Sequence, residues 1–595
     1  MTFTEKIMPQ STVTWRNDAA LGMAGAWLAL CVHGWAGFPT LPAGDNDSLL
    51  RLVEIRDFIG GQGWFDLHQY RMGPQGGFLM HWSRLVDAPI AAIILVMSAI
   101  TGKLGTGETI ALIAWPTMLM AGALAFMFRI ARAIGGDWAL RPAFIICTAA
   151  LFFGGVFVPG DIDHHNVQLT LTLAAMTALI IGRHYIAGVA AGAACALMLA
   201  VGMETLPYVS VAGLTASAGY LAGGRAGAAR AAGFGFGFAG VGFAAFVATL
   251  PVSAWFMPQC DAYSLPQFSI ALLSGLGLAA AAVCPALNRS FVARLVALLA
   301  LGVAVAVLAA TAFPQCLADP YAELDPRMQQ FWLNRVLEAQ PIWRVLTDNW
   351  AEAAGFYITP VLALIVLGIR LRKGATEEEW TLTAFLIAAV AVSVWQLRGA
   401  NFSVPLAAIV LAAWVSGRQR IRVISDTSSM LGMVVVWLVS LNCVWSLAAY
   451  GASAALGKRH AASATKSECE LPAEYVLLAE QPPTTVLAVS NLGSPTLAHT
   501  AHRVLAGPYH RNIAGNLLTF DAFMGTADQA RTVIVDNRIG LVAICPGNAE
   551  TKFLSKLAPA GFLAALTRGD GPNWLEKMPQ TDGEPLQIYR VRPQQ

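Results

Sequence analysis

Apolar runs of about 17 to 22 residues recur along this 595-residue chain, the length that carries a helix across roughly 30 Å of hydrocarbon. Hydrophobic residues make up 56% of the sequence and charged residues only 12%, half of the roughly 25% charge of a soluble domain. A soluble globular class is therefore excluded, and an α-helical polytopic membrane protein is implied. Spans are expected near residues 17–37, 108–128, 141–158, 166–182, 185–202, 206–222, 230–249, 267–286, 291–312, 353–371, 379–397, 402–416 and 428–450, about thirteen in all. The shorter apolar run 88–101 reads as a partial or interfacial helix, because counting it as a crossing breaks the charge alternation described next.

Basic residues sort the loops. Lys6 and Arg16 precede the first span, and Arg129/Arg132, Arg183, Arg225/Arg230, Arg289/Arg294, Arg370/Arg372/Lys373 and Arg418/Arg420/Arg422 fall in every second loop. Loops rich in Lys and Arg stay on the cytoplasmic side, so the N-terminus is expected inside and the segment after the last span outside. The first apolar run follows a polar arm and lacks a convincing cleavage site, so it is expected to stay as an anchor. The net charge of +2 singles out no partner, and no nucleic acid is expected.

Five of the nine cysteines (Cys31, Cys147, Cys195, Cys284 and Cys443) lie in or beside spans and read as small core residues. Cys260 and Cys316 fall in outer loops and Cys469 and Cys545 in the C-terminal segment, where either pair can bridge in an oxidising compartment. Gly/Ala-rich stretches around 221–246 suit close helix packing.

The expected topology gathers the unusual polar residues on the outer side. The loop 38–107 holds Gly44-Asp45-Asn46-Asp47, then Arg51, Glu54, Arg56 and Asp57, and later His81-Trp82-Ser83-Arg84. The loop 159–166 is Gly160-Asp161-Ile162-Asp163-His164-His165-Asn166, and the loop 313–352 carries Asp319, Glu323, Asp325, Arg327, Arg335 and Glu338-Ala339-Gln340-Pro341. Arg398 stands at the outer end of a span. Charged and imidazole groups are expensive beside hydrocarbon, and a divalent cation is the natural partner of an Asp/His cluster there. Each feature also has a plain reading: Asp45/Asp47 and Asp161/Asp163 as helix N-caps, Glu338 as a solvated charge, Arg398 as a snorkelling side chain. Their convergence on one face favours a shared polar site.

From about residue 451 the long apolar runs stop. Short β-like pieces (Thr485–Val489, Arg503–Ala506, Leu541–Cys545, Leu586–Val591) alternate with helical stretches such as Ala527–Arg538, which predicts a small α/β domain over 451–595 outside the membrane domain 1–450. Ser490-Asn491-Leu492-Gly493-Ser494 follows the first of these strands, and Tyr509-His510-Arg511-Asn512 comes shortly after, with His499 and His502 between. A polar patch after a strand is a usual binding position in α/β domains, although turn chemistry with surface histidines explains it equally.

In order, topology and motifs the chain resembles GT-C membrane glycosyltransferases, above all the catalytic subunit of oligosaccharyltransferase and its single-subunit bacterial and archaeal relatives. Asp45 or Asp47 ahead of Arg51 matches the family's first acidic motif. Asp163-His164-His165 matches its Asp-x-Glu or Asp-His-His motif, which gives Asp163 and His165 a metal-ligand role. Glu338-Ala339-Gln340-Pro341 matches the mobile-loop glutamate followed by x-Gln-Pro, and Arg398 the arginine that faces the lipid phosphate. The Trp-Trp-Asp motif that reads the acceptor sequon is absent, with Ser490-Asn491-Leu492-Gly493 in the comparable place, so glycosylation of Asn-x-Ser/Thr does not carry over.

The resemblance implies inverting transfer of a sugar or oligosaccharide from a polyprenyl phosphate or diphosphate carrier to a glycolipid, glycan or protein, at the periplasmic face of a bacterial inner membrane. Mg²⁺ or Mn²⁺ would be held by Asp47 (or Asp45), Asp163 and His165, with Arg398 on the donor phosphate. Asp45, Asp47 and Glu338 are the expected catalytic groups; Asp161, His164, His81, Trp82, Arg84, Asn491, His510 and Arg511 are further candidates for acceptor binding or support. Three rivals remain: a transporter or flippase of envelope glycolipid precursors, for which Glu204 is the main intramembrane candidate; a transferase adding one monosaccharide to an envelope glycolipid; and a protein that keeps the fold without catalysis.

Overall fold

The computed structural model describes residues 15–37, 40–318, 321, 324–374, 376–425, 430–456 and 468–592. Lys6, Asp319, Glu323 and the side chain of Arg422 lie outside the described residues. The first helix, α1 (Trp15–Ala36), leads into a segment containing α2 (Asn46–Ile59), a small hairpin of β1 (His68–Gln69) and β2 (Phe78–Leu79), and α3 (Arg84–Thr101). There follow α4 (Leu104–Gly135), α5 (Leu140–Gly154), α6 (His165–Ile181), α7 (Tyr185–Val201), α8 (Leu206–Ala222), α9 (Gly224–Thr249), α10 (Leu265–Val283), α11 (Phe291–Ala312), α12 (Ile342–Arg372), α13 (Glu377–Trp395) and α14 (Ala400–Ser425). A last pair, α15 (Met430–Val439) and α16 (Asn442–Ala455), is bent by 85° where the sequence predicts one straight span.

Among the described residues ten helices are long and apolar enough to cross a membrane, or eleven with the bent pair taken as one. The chain is a multi-pass membrane protein. Helix α3 is one of the ten by length and composition, and its two ends lie beside α2 and the start of α4. Its first turn bonds Arg51 of α2 through Asp87, and Ser98 near its end lies against Gly107 of α4. The first turns of α4 reach α2 too, because Glu108 pairs with Arg56, which donates to the Ala498 carbonyl of the C-terminal domain. The run 88–101, expected as a partial or interfacial helix, is long and apolar enough to cross a membrane.

The helices pack as their small residues dictate. Gly188 and Gly192 on α7 face Gly233 and Gly237 on α9 closely enough that a Cβ on any of them would strike the opposite backbone. This is the small-xxx-small contact by which helices associate when hydrocarbon offers no hydrophobic drive. At the far end of the bundle, residues from the basic loops tie helices together: Arg132 and Arg129 on the buried Asp18, Arg183 on Glu378, Arg230 on Glu377, and Arg370 on Glu379.

The C-terminal segment forms a five-stranded mixed sheet, with β3 (Thr485–Leu487), β4 (Arg503–Val504), β5 (Ile539–Ile544), β6 (Leu575–Lys577) and β7 (Gln587–Val591) in the order β4-β3-β5-β7-β6. β4 and β5 run parallel to β3, and β7 is antiparallel to β5 and β6. Helices α17 (Gly493–His499), α18 (Ile513–Met524), α19 (Ala527–Asp536), α20 (Ala549–Leu557) and α21 (Phe562–Arg568) complete an α/β fold. Strand β6, between a Gly/Pro turn and Met578-Pro579, carries too weak a pattern to be read from sequence. Both cysteine pairs are disulfides, Cys260–Cys316 and Cys469–Cys545.

The domain is fused to the segment between α1 and α4. Leu49, Leu50, Val53, Met72, Phe78, Met80 and Trp82 share one buried core with it, and Met72 bridges to Val504 on the edge strand β4.

Candidate active site

Two glycines bring the first two acidic loops into contact. Gly44 (φ +124°) and Gly160 (φ +99°) both sit in the left-handed region, where a side chain is strained. A Cβ on Gly160 would come within 2.9 Å of the Ala43 carbonyl. The loops so joined are braced by Asp161, whose Oδ1 accepts from the Ser48 hydroxyl at 3.4 Å and the Asp163 amide at 3.2 Å. Asp45 caps α2 through the Ser48 amide at 2.9 Å; the plain N-cap reading is correct for it and leaves its second oxygen free.

The result is a carboxylate cluster. Ligand atoms of Asp45, Asp47 and Asp163 lie within 4.8 Å of one another, and so do those of Asp163, His164 and His165. The expected set Asp47, Asp163 and His165 is thus not one group: Asp163 is the shared member of two. Burial, with Asp163 and Asp45 close by, pushes the Asp47 carboxyl well above its usual range, and Asp45 is raised by the same causes. Burial disfavours the Asp163 charge as well, but His164, His165 and Arg51 outweigh it and hold that carboxyl below its usual range. Clustered carboxylates that resist ionising together, beside an imidazole, form a hard oxygen/nitrogen donor set suited to Mg²⁺ or Mn²⁺.

The two histidines differ in role. His164 is buried with both ring nitrogens engaged: Nδ1 faces Asp163 and Nε2 lies 2.6 Å from Glu204 Oε1. His165 stays open to the cavity, with Nε2 3.5 Å from Asp163 and 3.9 Å from Glu338. A second layer backs the pair. Arg51, 1% exposed, donates to Asp87 at 2.8 Å, lies 3.4 Å from His164 Nδ1 and sits over the Trp82 ring at 4.4 Å. Arg84 is buried on the other oxygen of Asp87 at 3.1 Å, so it supports the site rather than meeting an acceptor.

Glu338 lies on a 3₁₀ turn (Leu337–Ala339) and Arg398 on another (Leu397–Gly399). The turns are joined by the Leu397 amide on the Gln340 carbonyl at 2.9 Å. Arg398 Nη2 is 3.3 Å from Glu338 and bonds the Tyr321 hydroxyl, while its buried Nε has no partner among the described residues. These groups line a cavity of about 720 Å³. Leu206, Tyr208, Val392, Trp395 and Phe402 from the helix bundle give the cavity apolar lining, and Asn491, Tyr509, His510, Glu550 and Phe553 from the C-terminal domain give it a more polar one.

Of the outer-domain candidates, Asn491 and His510 line the cavity and Arg511 does not. Arg511 is spent on Asp261, with Nε at 2.7 Å from Oδ2 and Nη2 at 2.7 Å from Oδ1, and His510 shares that carboxylate at 2.8 Å. His81 lies against His510 with ring centres 4.8 Å apart. Asn491 follows β3 as expected, but its amide and the Ser490 hydroxyl bond the Glu550 carboxylate at 2.8 and 2.9 Å. Sequence reasoning missed Asp87, Asp261, Tyr321 and the siting of Glu204, which lies in the turn between α7 and α8 rather than inside a span; Tyr509 was read only as part of a polar patch.

No protein-family model matches the sequence, and no curated protein is significantly similar to it. Solved structures are similar. The archaeal oligosaccharyltransferase AglB from Archaeoglobus fulgidus, in complex with an inhibitory peptide and a dolichol-phosphate, superposes with a TM-score of 0.64 at 13% identity, over 95% of this chain and 73% of that one. The Archaeoglobus fulgidus enzyme in complex with Zn and sulfate gives 0.60 at 14% over 93% and 70%, and the form tethered to an acceptor peptide with an NVT sequon gives 0.63 at 14% over 94% and 72%. Polytopic helices, acidic outer loops and C-terminal α/β domain together form the GT-C fold of the oligosaccharyltransferase catalytic subunit.

Proposed function

We propose that this protein is a membrane glycosyltransferase that moves a sugar or oligosaccharide from a polyprenyl phosphate or diphosphate carrier to an acceptor at the periplasmic face of a bacterial inner membrane. The carrying observation is the meeting of Asp45, Asp47, His165, Glu338 and Arg398 in one cavity, with Asp163 behind its lining and within ligand distance of both Asp45/Asp47 and His165. An apolar wall on one side suits a polyprenyl chain, and an outer-domain wall on the other suits a water-borne or headgroup acceptor. The dolichol-phosphate and acceptor peptide of the similar structures support donor and acceptor sides in the same sense.

Asp163, shared by the two groups, would hold Mg²⁺ or Mn²⁺ together with Asp45 and Asp47 on one side or His165 on the other, and the cation would supply charge neutralisation at the departing phosphate. The protein's own groups do the rest. Arg398 holds the phosphate oxygens with a guanidinium, the shape best suited to that task. The carboxylate of Asp45 or Asp47 less engaged with the cation orients the acceptor and takes its proton. The acceptor atom bonds to the anomeric carbon as the bond to the phosphate oxygen breaks, and the phosphate leaves with that electron pair, inverting the centre. Glu338 closes over the acceptor on its loop.

The Trp-Trp-Asp reader is replaced by Ser490-Asn491-Leu492-Gly493 bound to Glu550, so the acceptor is not assigned to a sequon. The flippase alternative leaned on Glu204, which is accounted for by its bond to His164. The test compares lipid-linked sugars and envelope glycoconjugates in cells carrying the wild type or Asp163→Ala. The variant is expected to lose one glycoconjugate and accumulate its lipid-linked donor; identical glycoconjugates in both strains would sink the reading.

A further inference from the structure

A tyrosine of the C-terminal domain reaches the backbone between the two acidic residues of the first outer loop. Tyr509 is 3% exposed, and its hydroxyl donates to the Asn46 carbonyl at 2.8 Å. Ser494, 0% exposed, lies 2.9 Å from the same hydroxyl. A carbonyl cannot donate and a phenol has one proton, so the order is fixed: Ser494 donates to Tyr509, and Tyr509 donates to Asn46. Asn46 is the residue between Asp45 and Asp47.

The tyrosine is presented rigidly. Its loop is stapled by two buried carboxamides: Asn516 accepts from the Gly507 amide at 3.2 Å and donates to the Tyr509 carbonyl at 3.3 Å, and Asn512 donates to the Leu505 carbonyl at 3.1 Å. A Cβ on Gly493 would strike the Ala506 carbonyl, which keeps the helix bearing Ser494 tight against this loop. The Tyr509 ring also meets Trp82 edge-on at 5.8 Å, and Trp82 carries Arg51 on its face. One side chain of the outer domain therefore touches the support of both halves of the acidic cluster.

We infer that Tyr509, with Ser494 behind it, is a positioning residue that holds the Asp45–Asp47 backbone in cation-binding geometry, so that the outer domain sets the metal affinity of a site whose ligands all belong to the membrane domain. This rests on the metal-dependent reading above. Neither residue is among the candidate ligands; each acts on them through the peptide groups flanking Asn46. Changing a group that orients a ligand rather than binding metal typically costs about 10- to 100-fold in affinity.

The test measures Mn²⁺ binding to the full-length, detergent-purified protein by electron paramagnetic resonance, without substrate. Tyr509→Phe is expected to weaken Mn²⁺ binding on the order of 10-fold, Ser494→Ala by less, and Tyr589→Phe, a tyrosine elsewhere in the same domain, not at all. Thermal melting of each variant in EDTA separates folding from affinity: Tyr509→Phe should melt near the wild type and lose Mn²⁺ affinity nonetheless. Excess Mn²⁺ should restore its kcat. Equal affinity in wild type and Tyr509→Phe overturns the positioning role and leaves the metal reading standing. A wild type that binds no Mn²⁺, or binds it as well after Asp163→Ala, overturns both.

Discussion

The carboxylate of Glu204 lies 2.6 Å from Nε2 of His164, two residues 40 positions apart in sequence. That bond fixes the ring so that Nδ1 meets Asp163. Glu204 thus orients the carboxylate shared by both halves of the candidate metal site, though it belongs to neither half.

Glu204→Gln is accordingly expected to lower Mn²⁺ affinity about 10-fold, toward the lower end for a ligand-orienting group. His165→Ala, which removes an open donor, should lower it further. A Glu204→Gln protein that binds Mn²⁺ as tightly as the wild type would remove the orienting role.

Arg398 separates two kinds of cation. Its 3₁₀ turn is pinned because a Cβ on Gly399 would strike the Ser393 backbone, and its guanidinium bonds Tyr321 and pairs with Glu338. Lysine keeps the charge and loses the fork. Arg398→Lys should therefore lose on the order of 100-fold in kcat/KM for a lipid-linked donor, nearly as much as Arg398→Ala, whereas Glu338→Gln should act mainly on the acceptor KM. Full activity in Arg398→Lys would mean that charge alone is needed.

Glu54 gives a pH dependence. Burial, reinforced by Asp87, raises its carboxyl to about 8 against the partial relief of Arg51 and Arg84. An acid raised on folding stays protonated in the folded protein after it has ionised in the unfolded chain. Its contribution is therefore complete below the unfolded value and erodes as pH climbs toward 8. Glu54→Gln cannot ionise. Its melting temperature relative to wild type should rise between pH 5 and pH 8, and a constant difference across that window would refute the assignment.

The Cys469–Cys545 bridge closes a 76-residue separation within the outer domain. Loop-closure entropy puts its contribution at about 4.5 kcal/mol as an upper figure. The paired serine variant should melt in two steps, the outer domain first, by calorimetry. Cys260–Cys316, which neighbours Asp261, should affect docking of the outer domain more than its own melting; a single unshifted transition in both variants would contradict this.

The membrane helices were legible because hydrocarbon thickness imposes a length that no other constraint mimics. Residues 206–222 and 291–312 are helices at the expected boundaries, and the late bend at Ser440-Leu441 escaped because Ser440 and Asn442 are too few polar residues to interrupt an apolar run of span length. The acidic loops were legible because charge beside a membrane needs a reason. What stayed hidden are contacts that no local pattern encodes. Arg51 finds Asp87 36 residues away, and Tyr509 finds Asn46 463 residues away. Arg84 and Arg511 looked available, being polar residues in outer loops, but each is consumed by a carboxylate, Asp87 and Asp261.

The cavity's two unlike walls bear on the order in which substrates arrive. Under the proposed function, a donor chain along Leu206, Trp395 and Phe402 and an acceptor beside Asn491 and Phe553 would occupy different walls of one cavity, so neither would have to depart before the other is seated. Initial-rate plots should then intersect, the mark of a ternary complex, and each product should inhibit most strongly against the substrate that uses its own side.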